Sequence, residues 1–265
     1  MATKLMVVGA AGRMGRRIVA LAAQSGEFEI AAAVDRAGHP DIGRDAGLLA
    51  GVGGVDVKLA DAYAAGADVA IDFSLPQAAA RTVDYCLENG AALVMGTTGL
   101  GEAERARIEE AAAKIPVIYG TNMSVGMNVL FGLVGRVAAM LGAEYDVEIV
   151  EEHHRFKKDA PSGSALTLAE RICDATEREF PGALVDGRSG GDALRKRGQI
   201  GMHAVRAGDI VGVHSVVFGT LGETVTLNHR AGNRDTFVRG ALRAAKWLAG
   251  KKPGSYSMAD VLGIS

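Results

Sequence analysis

Short apolar runs alternate with segments of helical periodicity over the first 120 residues. The apolar runs predict buried strands at 5–8, 30–34, 69–73, 93–95 and 117–119. Helical periodicity predicts helices at 13–24, 77–88 and 102–114. Strands and helices in alternation form a parallel sheet with helices on both faces. The pattern therefore predicts a Rossmann-like, doubly wound parallel sheet, whose ligands bind beyond the carboxyl ends of the strands.

The pattern changes after residue 124. It predicts helices at 124–141 and 162–179, a strand at 146–152, and an antiparallel hairpin from strands 210–218 and 223–229. The helical segment 235–248 is expected to pack back on the first domain. We predict an α/β chain in which 1–124 plus 234–265 form a dinucleotide-binding domain. Residues 125–233 form a second, α+β domain with an open mixed sheet, for substrate binding and oligomerisation.

Composition narrows the class of protein. The 265 residues are 48% apolar and 23% charged, with a net charge of −2, so bulk electrostatics give no reason to expect nucleic-acid or membrane binding. No apolar run reaches the roughly 18 residues of a membrane span. Cys86 and Cys173 are far apart, which predicts reduced core thiols and no metal site. The first strand begins without a signal peptide, so a cytoplasmic location is expected.

A glycine-rich loop follows the first strand and opens the first helix. Gly9 to Gly15 has the spacing G-x-x-G-x-x-G, which permits a tight turn and lets a pyrophosphate meet the helix N-terminus. The alternative is a turn needed only for packing. The loop predicts cofactor contacts at Gly9, Ala10, Ala11, Gly12, Arg13 and Met14.

Asp35 ends the second strand, where a carboxylate would accept hydrogen bonds from the adenosine ribose. Such a carboxylate repels the 2′-phosphate of NADPH, whereas Arg36 next to it attracts that phosphate, and Arg13 would assist. The two signals predict use of both NADH and NADPH. The alternative for Asp35 is a solvated strand end.

Two further strand ends carry small polar residues at the same edge of the sheet. Threonine and asparagine there can hydrogen-bond the carboxamide or ribose of a nicotinamide, although they can also cap the following helices. The predicted contacts are Gly96, Thr97, Thr98, Gly120, Thr121, Asn122 and Met123.

The run from Glu151 to Ser164 concentrates two imidazoles, three cations and a Ser-Gly-Ser turn in fourteen residues. Neighbouring side chains on a strand point to opposite faces, so either the strand ends before the two histidines or one of them is structural. A helix starting after Ser162 offers amides and a positive dipole end to an anion. Hydride reduction leaves negative charge that a proton must quench, and Lys157 or a histidine can supply the proton.

These residues resemble the dihydrodipicolinate reductase (4-hydroxy-tetrahydrodipicolinate reductase) family, whose Glu-x-His-His-x-x-Lys-x-Asp-Ala-Pro-Ser-Gly-Thr-Ala hallmark matches residues 151–165. The resemblance also covers the glycine loop, 72–74, 96–99, 122–126 and 206–212. It implies NADH- or NADPH-dependent reduction of a cyclic dicarboxylate to tetrahydrodipicolinate, in lysine and diaminopimelate biosynthesis, by a homotetramer. It implies His153 as acid/base and Lys157 as proton donor, with substrate carboxylate bound by His154, Gly163 and Ser164.

Three positions depart from the family pattern: Ser164 replaces a threonine, Val213 an acidic residue, and Asp35 a glutamate. Two other functions stay open. One is a different dehydrogenase of the same fold, acting on an amino-acid semialdehyde, for which the tandem histidines have no evident use. The other is a non-catalytic dinucleotide sensor, which predicts a basic stripe or helix-turn-helix segment that the sequence does not show.

Overall fold

The computed structural model describes residues 1–264. Its strands are β1 (Thr3–Val8), β2 (Phe28–Val34), β3 (Leu59–Ala60), β4 (Val69–Asp72), β5 (Ala92–Met95), β6 (Pro116–Tyr119), β7 (Asp146–His153), β8 (Leu184–Asp186), β9 (Ile200–Arg206), β10 (Gly212–Thr220), β11 (Glu223–Ala231) and β12 (Gly254–Tyr256). Its helices are α1 (Arg13–Ser25), α2 (Ala46–Ala50), α3 (Pro76–Asn89), α4 (Glu102–Ala112), α5 (Val125–Leu141), α6 (Gly163–Ala175), α7 (Asp235–Leu248) and α8 (Met258–Leu262).

The chain divides into two compact units. The first comprises Met1–Val125 and Asp235–Gly263, and the second comprises Gly126–Arg234 together with Ile264. Within the described chain, no helix combines the length and the apolar character that a bilayer crossing requires.

The first unit contains a parallel sheet in the order β12-β6-β5-β4-β1-β2-β3. The order reverses at β1, which is the switch point of a doubly wound sheet. Alternate residues of β1 serve opposite cores, because side chains alternate across a strand. Leu5 and Val7 pack with residues of α1 and α7, whereas Met6 and Val8 pack with residues of α3 and α4. The predicted Rossmann-like sheet is confirmed.

The second unit contains a mixed sheet in the order β11-β10-β7-β9-β8. β10 is antiparallel to β7 and β11, and β9 is parallel to β7 and β8. Its buried face carries Val147, Ile149, Val216 and Phe218, which pack on α6 through residues such as Leu168. This arrangement confirms the predicted second α+β fold with a mixed sheet.

Seven elements differ from the sequence prediction. Five are short and were not predicted: β3, β8, β12, α2 and α8. The other two are α6 and β9. α6 ends at Ala175 instead of continuing to 179, because Glu177 adopts a left-handed φ of 55° that a helix cannot accommodate. The strand β9 was not predicted. Its segment begins with a buried, glycine-containing stretch and continues with half-buried and exposed residues, so it lacks the strict alternation that marks a strand.

Candidate active site

The glycine-rich loop between β1 and α1 is packed against neighbouring backbone. Gly9 has a φ of 77°, and a Cβ on it would lie 2.8 Å from the carbonyl oxygen of Phe73. A Cβ on Gly15 would lie 2.1 Å from the carbonyl oxygen of Gly9. Because any side chain would collide with backbone, both positions require glycine. The turn places the N-terminus of α1 at the carboxyl ends of the strands, where an anion is favoured.

The loop amides are already used within the protein. Those of residues 9, 10 and 12 donate to backbone oxygens at 2.8–3.0 Å, and that of Ala11 donates to Oδ2 of Asp35 at 2.9 Å. The amides of Arg13 and Met14 lie in the first turn of α1, where no acceptor exists within the helix. A pyrophosphate would therefore meet the helix start itself.

Asp35 follows β2 and is fixed in direction by two backbone amides. Its Oδ2 accepts from Ala11 and its Oδ1 accepts from Arg36, both at 2.9 Å. An ionised carboxylate has about four lone-pair sites. Each oxygen of Asp35 thus keeps acceptor capacity for a ribose hydroxyl.

A pocket of about 550 Å³ lies at this loop within the first unit. Its volume is in the range of small-molecule sites. Five predicted cofactor residues line it: Gly9, Ala11, Gly12, Asp35 and Arg36. Other parts of its wall come from residues to which the sequence assigned no role, including His39, Tyr63, Phe73, Ser74 and Arg81.

A buried carboxylate joins the strand ends around this pocket. Asp72, the last residue of β4, is 0% exposed. Its Oδ1 accepts from Thr97 Oγ1 at 2.8 Å and from the Ser74 hydroxyl at 2.6 Å, and its Oδ2 accepts from Thr82 Oγ1 at 2.6 Å. The Thr97 hydroxyl is therefore committed to the protein. Of the predicted segment 96–98, the backbone and the exposed Thr98 are left to contact a cofactor.

The segment from Gly120 to Met123 shows a similar division. The Met123 side chain is 1% exposed and belongs to the apolar core, and Asn122 Oδ1 accepts from the Ser124 amide at 2.9 Å, next to the start of α5. Thr121 is exposed and Gly120 half-buried. The Asn122 bond fixes its side chain to the backbone just before α5 and is not a cap of that helix.

The candidate site of the second unit is built around Glu151, whose side chain is 1% exposed. Glu151 shares a face of β7 with His153, because residues two apart on a strand point the same way. Its Oε2 lies 2.6 Å from His153 Nδ1. Arg206 donates to both of its oxygens at 2.7 and 2.8 Å, and the Ser162 amide donates to Oε1 at 3.0 Å. Both oxygens of this buried carboxylate are therefore paired, as a buried charge requires.

These contacts decide the protonation of Glu151. Burial raises the pKa of its carboxyl, but the hydrogen bonds from Arg206 and His153 outweigh burial and leave the pKa below its usual value. Glu151 is therefore ionised at neutral pH. An ionised carboxylate only accepts hydrogen bonds, so His153 must carry its proton on Nδ1.

His153 is neutral in this environment. Burial lowers the pKa of His153 below its usual value, although the bond to Glu151 opposes this, and the nearby cations Lys157 and Arg206 lower it further. With the proton on Nδ1, Nε2 presents a lone pair. A Cβ on Gly212 would lie 3.2 Å from that Nε2, so glycine there leaves room beside the ring.

His214 lies behind His153 and is 3% exposed. The two ring centroids are 5.2 Å apart in an edge-to-face arrangement. Its Nε2 lies 3.1 Å from Ser162 Oγ. The same Oγ accepts from the Ala165 amide at 3.2 Å. Burial, reinforced by His153, lowers the pKa of His214 to about 4. His214 is therefore a neutral packing and hydrogen-bonding partner.

Lys157 is held by a neighbouring carboxylate. Its Nζ lies 2.9 and 2.8 Å from the two oxygens of Asp159, and this contact lowers the pKa of the Asp159 carboxyl below its usual range. The Lys157 side chain is 21% exposed, whereas its neighbour Lys158 is exposed. Of the two lysines, Lys157 is thus the one that the protein orients, through Asp159. Asp159 does not cap α6, because the N-cap of that helix is Ser162.

β7 ends at His153, so the strand stops between the two histidines. His154 begins a tight turn in which its carbonyl oxygen accepts from the Lys157 amide at 3.1 Å. Its Nδ1 is buried and has no hydrogen-bond partner among residues 1–264. Gly163 and Ser164 open α6 at its positive end. The run thus gathers its candidate residues within one unit.

Three residues of this site carried no predicted role: Glu151, Arg206 and His214. The first two stood in the quoted motifs, and the i, i+2 spacing of Glu151 and His153 on a strand was a usable signal. Arg206 is 55 residues from Glu151 along the chain, and no local pattern links them.

Comparison with known proteins gives a consistent result over the whole chain. The family model described as "Dihydrodipicolinate reductase, N-terminus" matches residues 3–123, and "Dihydrodipicolinate reductase, C-terminus" matches residues 126–262. The chain is 47% identical to the 4-hydroxy-tetrahydrodipicolinate reductase of Alkalilimnicola ehrlichii, over 100% of both chains. It is 49% identical to that of Anaeromyxobacter dehalogenans, over 99% of this chain and 98% of the relative.

A solved structure supports the fold. The chain is similar to the dipicolinate-bound dihydrodipicolinate reductase of Paenisporosarcina sp. TG-14, with a TM-score of 0.74 and 22% identity. The similarity covers 98% of this chain and 99% of that one.

Proposed function

Because the chain belongs to the dihydrodipicolinate reductase family, we propose that it reduces 4-hydroxy-tetrahydrodipicolinate to tetrahydrodipicolinate with NADH or NADPH. The step belongs to lysine and diaminopimelate biosynthesis, and the chain is an NAD(P)H-dependent oxidoreductase. The observation that carries the proposal is the grouping of the Glu151-held His153, the Asp159-held Lys157 and the start of α6 in one unit.

The first unit fits a dinucleotide. The glycine turn leaves no space for a side chain at Gly9 or Gly15, and the adjoining pocket contains Asp35 and Arg36. The amides of Arg13 and Met14 would hold the pyrophosphate and Asp35 the adenosine ribose. When bound, the reduced nicotinamide supplies a hydride. The backbone of 96–98 and 120–123 completes the proposed contacts.

Lys157 is the proposed proton donor. Hydride addition leaves negative charge on the acceptor, and the Lys157 ammonium, oriented by Asp159, can deliver the proton that quenches it. The resting His153 is neutral, with Nε2 as an acceptor, so it serves as the acid/base partner that must first take up a proton before giving one.

The substrate's carboxylate is proposed to bind at the start of α6. Gly163 and Ser164 lie at the positive end of that helix, which favours anions. His154 lies in the turn that also carries Lys157, and its Nδ1 has no partner in the described part of the chain. Ser164 keeps a hydroxyl and an amide, as the threonine of the family pattern would.

Turnover with freshly generated substrate tests the proposal. The purified chain should consume NADH or NADPH, followed as loss of nicotinamide absorbance, only when 4-hydroxy-tetrahydrodipicolinate is present. An amino-acid semialdehyde should give no turnover; turnover with it alone would favour the other dehydrogenase reading. Binding of NADH without any turnover would favour a sensor instead.

We also propose a homotetramer assembled through the second unit and a cytoplasmic location. The apolar core packs on one face of the mixed sheet, through Val147 and Ile149 of β7. The alternate residues Glu148 and Val150 are half-buried on the other face, which a second copy would cover. Sedimentation analysis tests the assembly; a monomer would contradict it. The proposed location rests on the proposed biosynthetic role and is tested by cell fractionation.

A further inference from the structure

One wall of the nucleotide pocket contains a cation with no assigned task. Arg81, on α3, lines the pocket together with Asp35 and Arg36. Within residues 1–264 no carboxylate forms an ion pair with the guanidinium of Arg81 or of Arg36. Cations that lack an internal partner beside a ligand pocket are suited to an anionic ligand.

Arg81 is placed by an aromatic ring. Its Cζ lies 4.8 Å from the ring centroid of Tyr63, which is a cation–π contact. The Tyr63 hydroxyl lies 2.9 Å from Thr82 Oγ1, and Thr82 Oγ1 donates to the buried Asp72 at 2.6 Å. Since the single Thr82 hydroxyl proton goes to Asp72, Tyr63 donates to Thr82. The ring beneath Arg81 is thus anchored to the end of β4.

The charges of the pocket favour a phosphate. Asp35 alone repels the 2′-phosphate that distinguishes NADPH from NADH, and Arg36 alone would only balance that repulsion. With Arg81 the pocket contains two guanidinium groups against one carboxylate. Guanidinium presents a planar set of donors that matches phosphate oxygens.

We propose that Arg81 is a specificity-determining residue, which together with Arg36 binds the 2′-phosphate, so that the chain binds NADPH more tightly than NADH. The inference rests on the proposed use of NAD(P)H and adds the residue that decides between the two cofactors. Tyr63 is its positioning residue.

Binding of two adenosine nucleotides isolates this contact. 2′,5′-ADP carries the 2′-phosphate and 5′-AMP lacks it, and calorimetry measures both dissociation constants on the full chain. The native chain should bind 2′,5′-ADP more tightly. Arg81→Gln should raise the dissociation constant of 2′,5′-ADP about tenfold, the effect of one hydrogen bond to a charged group, and change that of 5′-AMP less than about twofold. The KM for NADPH should rise in parallel, with kcat unchanged.

Two further variants sharpen the result. Tyr63→Leu should give a smaller loss for 2′,5′-ADP alone, because Arg81 is present but no longer held. Arg243→Gln removes an exposed guanidinium of the same unit outside this pocket. It matches the change in net charge and should leave both constants unchanged.

Other outcomes overturn the proposal. Equal weakening of both nucleotides by Arg81→Gln would mean that Arg81 stacks on adenine, and no change in either would mean that it does not contact the cofactor. The two dissociation constants from calorimetry are measured without turnover. A chain that shows the expected nucleotide pattern but no reductase activity would contradict the proposed function and leave this inference standing.

Discussion

The nucleotide loop of the first unit and the Glu151 cluster of the second are both candidate binding sites. The first is formed by backbone and the second by charged side chains. The loop is backbone, shaped by glycines whose missing side chains let two segments touch. The cluster is a set of ionised side chains removed from water and balanced against each other. A site of the first kind is sensitive to added volume, and one of the second kind to lost or added charge. Substitutions that add volume should therefore damage the first site, and substitutions that change charge should damage the second.

The largest effect on activity should come from Lys157→Ala, which should impair the second site and leave the first intact. Turnover should fall about 100- to 10,000-fold, since a general acid is lost, while NADH binding to the first unit stays native. Steady-state kinetics and calorimetry measure both. Lys158→Ala, which alters the exposed neighbour, is the matched control and should retain near-native turnover. Near-native turnover of Lys157→Ala itself would remove Lys157 from the mechanism.

Glu151→Gln probes the charge balance of the cluster. The change leaves the Arg206 guanidinium without its counter-charge, and such a loss costs about 3–5 kcal/mol of unfolding free energy. Urea unfolding measures it. Glu152→Gln is the control, because Glu152 lies next along β7 on its other face and should cost little. Equal effects of the two variants would break the distinction between a buried ionic site and an ordinary strand surface.

Acidification should act on the same cluster. The pKa of His214 is lowered to about 4 in the folded chain, so the unfolded chain binds an extra proton between about pH 6.5 and pH 4. Stability is therefore full above that window and falls by about 3 kcal/mol as the pH drops through it. Urea unfolding of native and His214→Gln chains at pH 7 and 5 tests this. A native chain no more acid-sensitive than the variant would contradict it.

Added volume in the loop is tested by Gly15→Ala, for which overpacking is expected to cost about 1–3 kcal/mol of stability or more. The added Cβ would lie 2.1 Å from the Gly9 carbonyl oxygen, so the loop must shift and NADH binding should weaken. Gly54→Ala is the control, since its Cβ would meet only a carboxylate oxygen at 3.9 Å. Unfolding and NADH titration measure both variants. An unchanged affinity in Gly15→Ala would show that the loop tolerates volume.

The two regions also differ in how much the sequence reveals. Apolar periodicity predicted five of the seven strands of the parallel sheet within a few residues, because buried parallel strands are continuous apolar runs. The two strands at the edges of the sheet, β3 and β12, are only two and three residues long and were not predicted. The glycine spacing also predicted the loop between β1 and α1, because the close backbone contacts there exclude any side chain at Gly9 and Gly15. In the second unit, the pairing of Glu151 with Arg206 depends on β7 and β9 lying side by side, and β9 had no alternation to predict it.

The sequence also did not predict the direction in which individual side chains point. Thr97 and Met123 follow strands as predicted, yet Thr97 bonds Asp72 and Met123 enters the core. The pattern of a strand end indicates which residues reach the edge of the sheet. Which of their side chains then turn inward depends on partners such as Asp72 and α7, which belong to other parts of the fold.

The position of α7 has a consequence for synthesis on the ribosome. This helix supplies Val238 and Ala241 to the core beneath β1, and Gly240 packs so closely that a Cβ there would lie 1.6 Å from the carbonyl oxygen of Met123. Yet α7 is translated only after the entire second unit. On the face of the sheet that α1 and α7 share, the part that α7 covers therefore stays exposed in the nascent chain while more than a hundred further residues emerge.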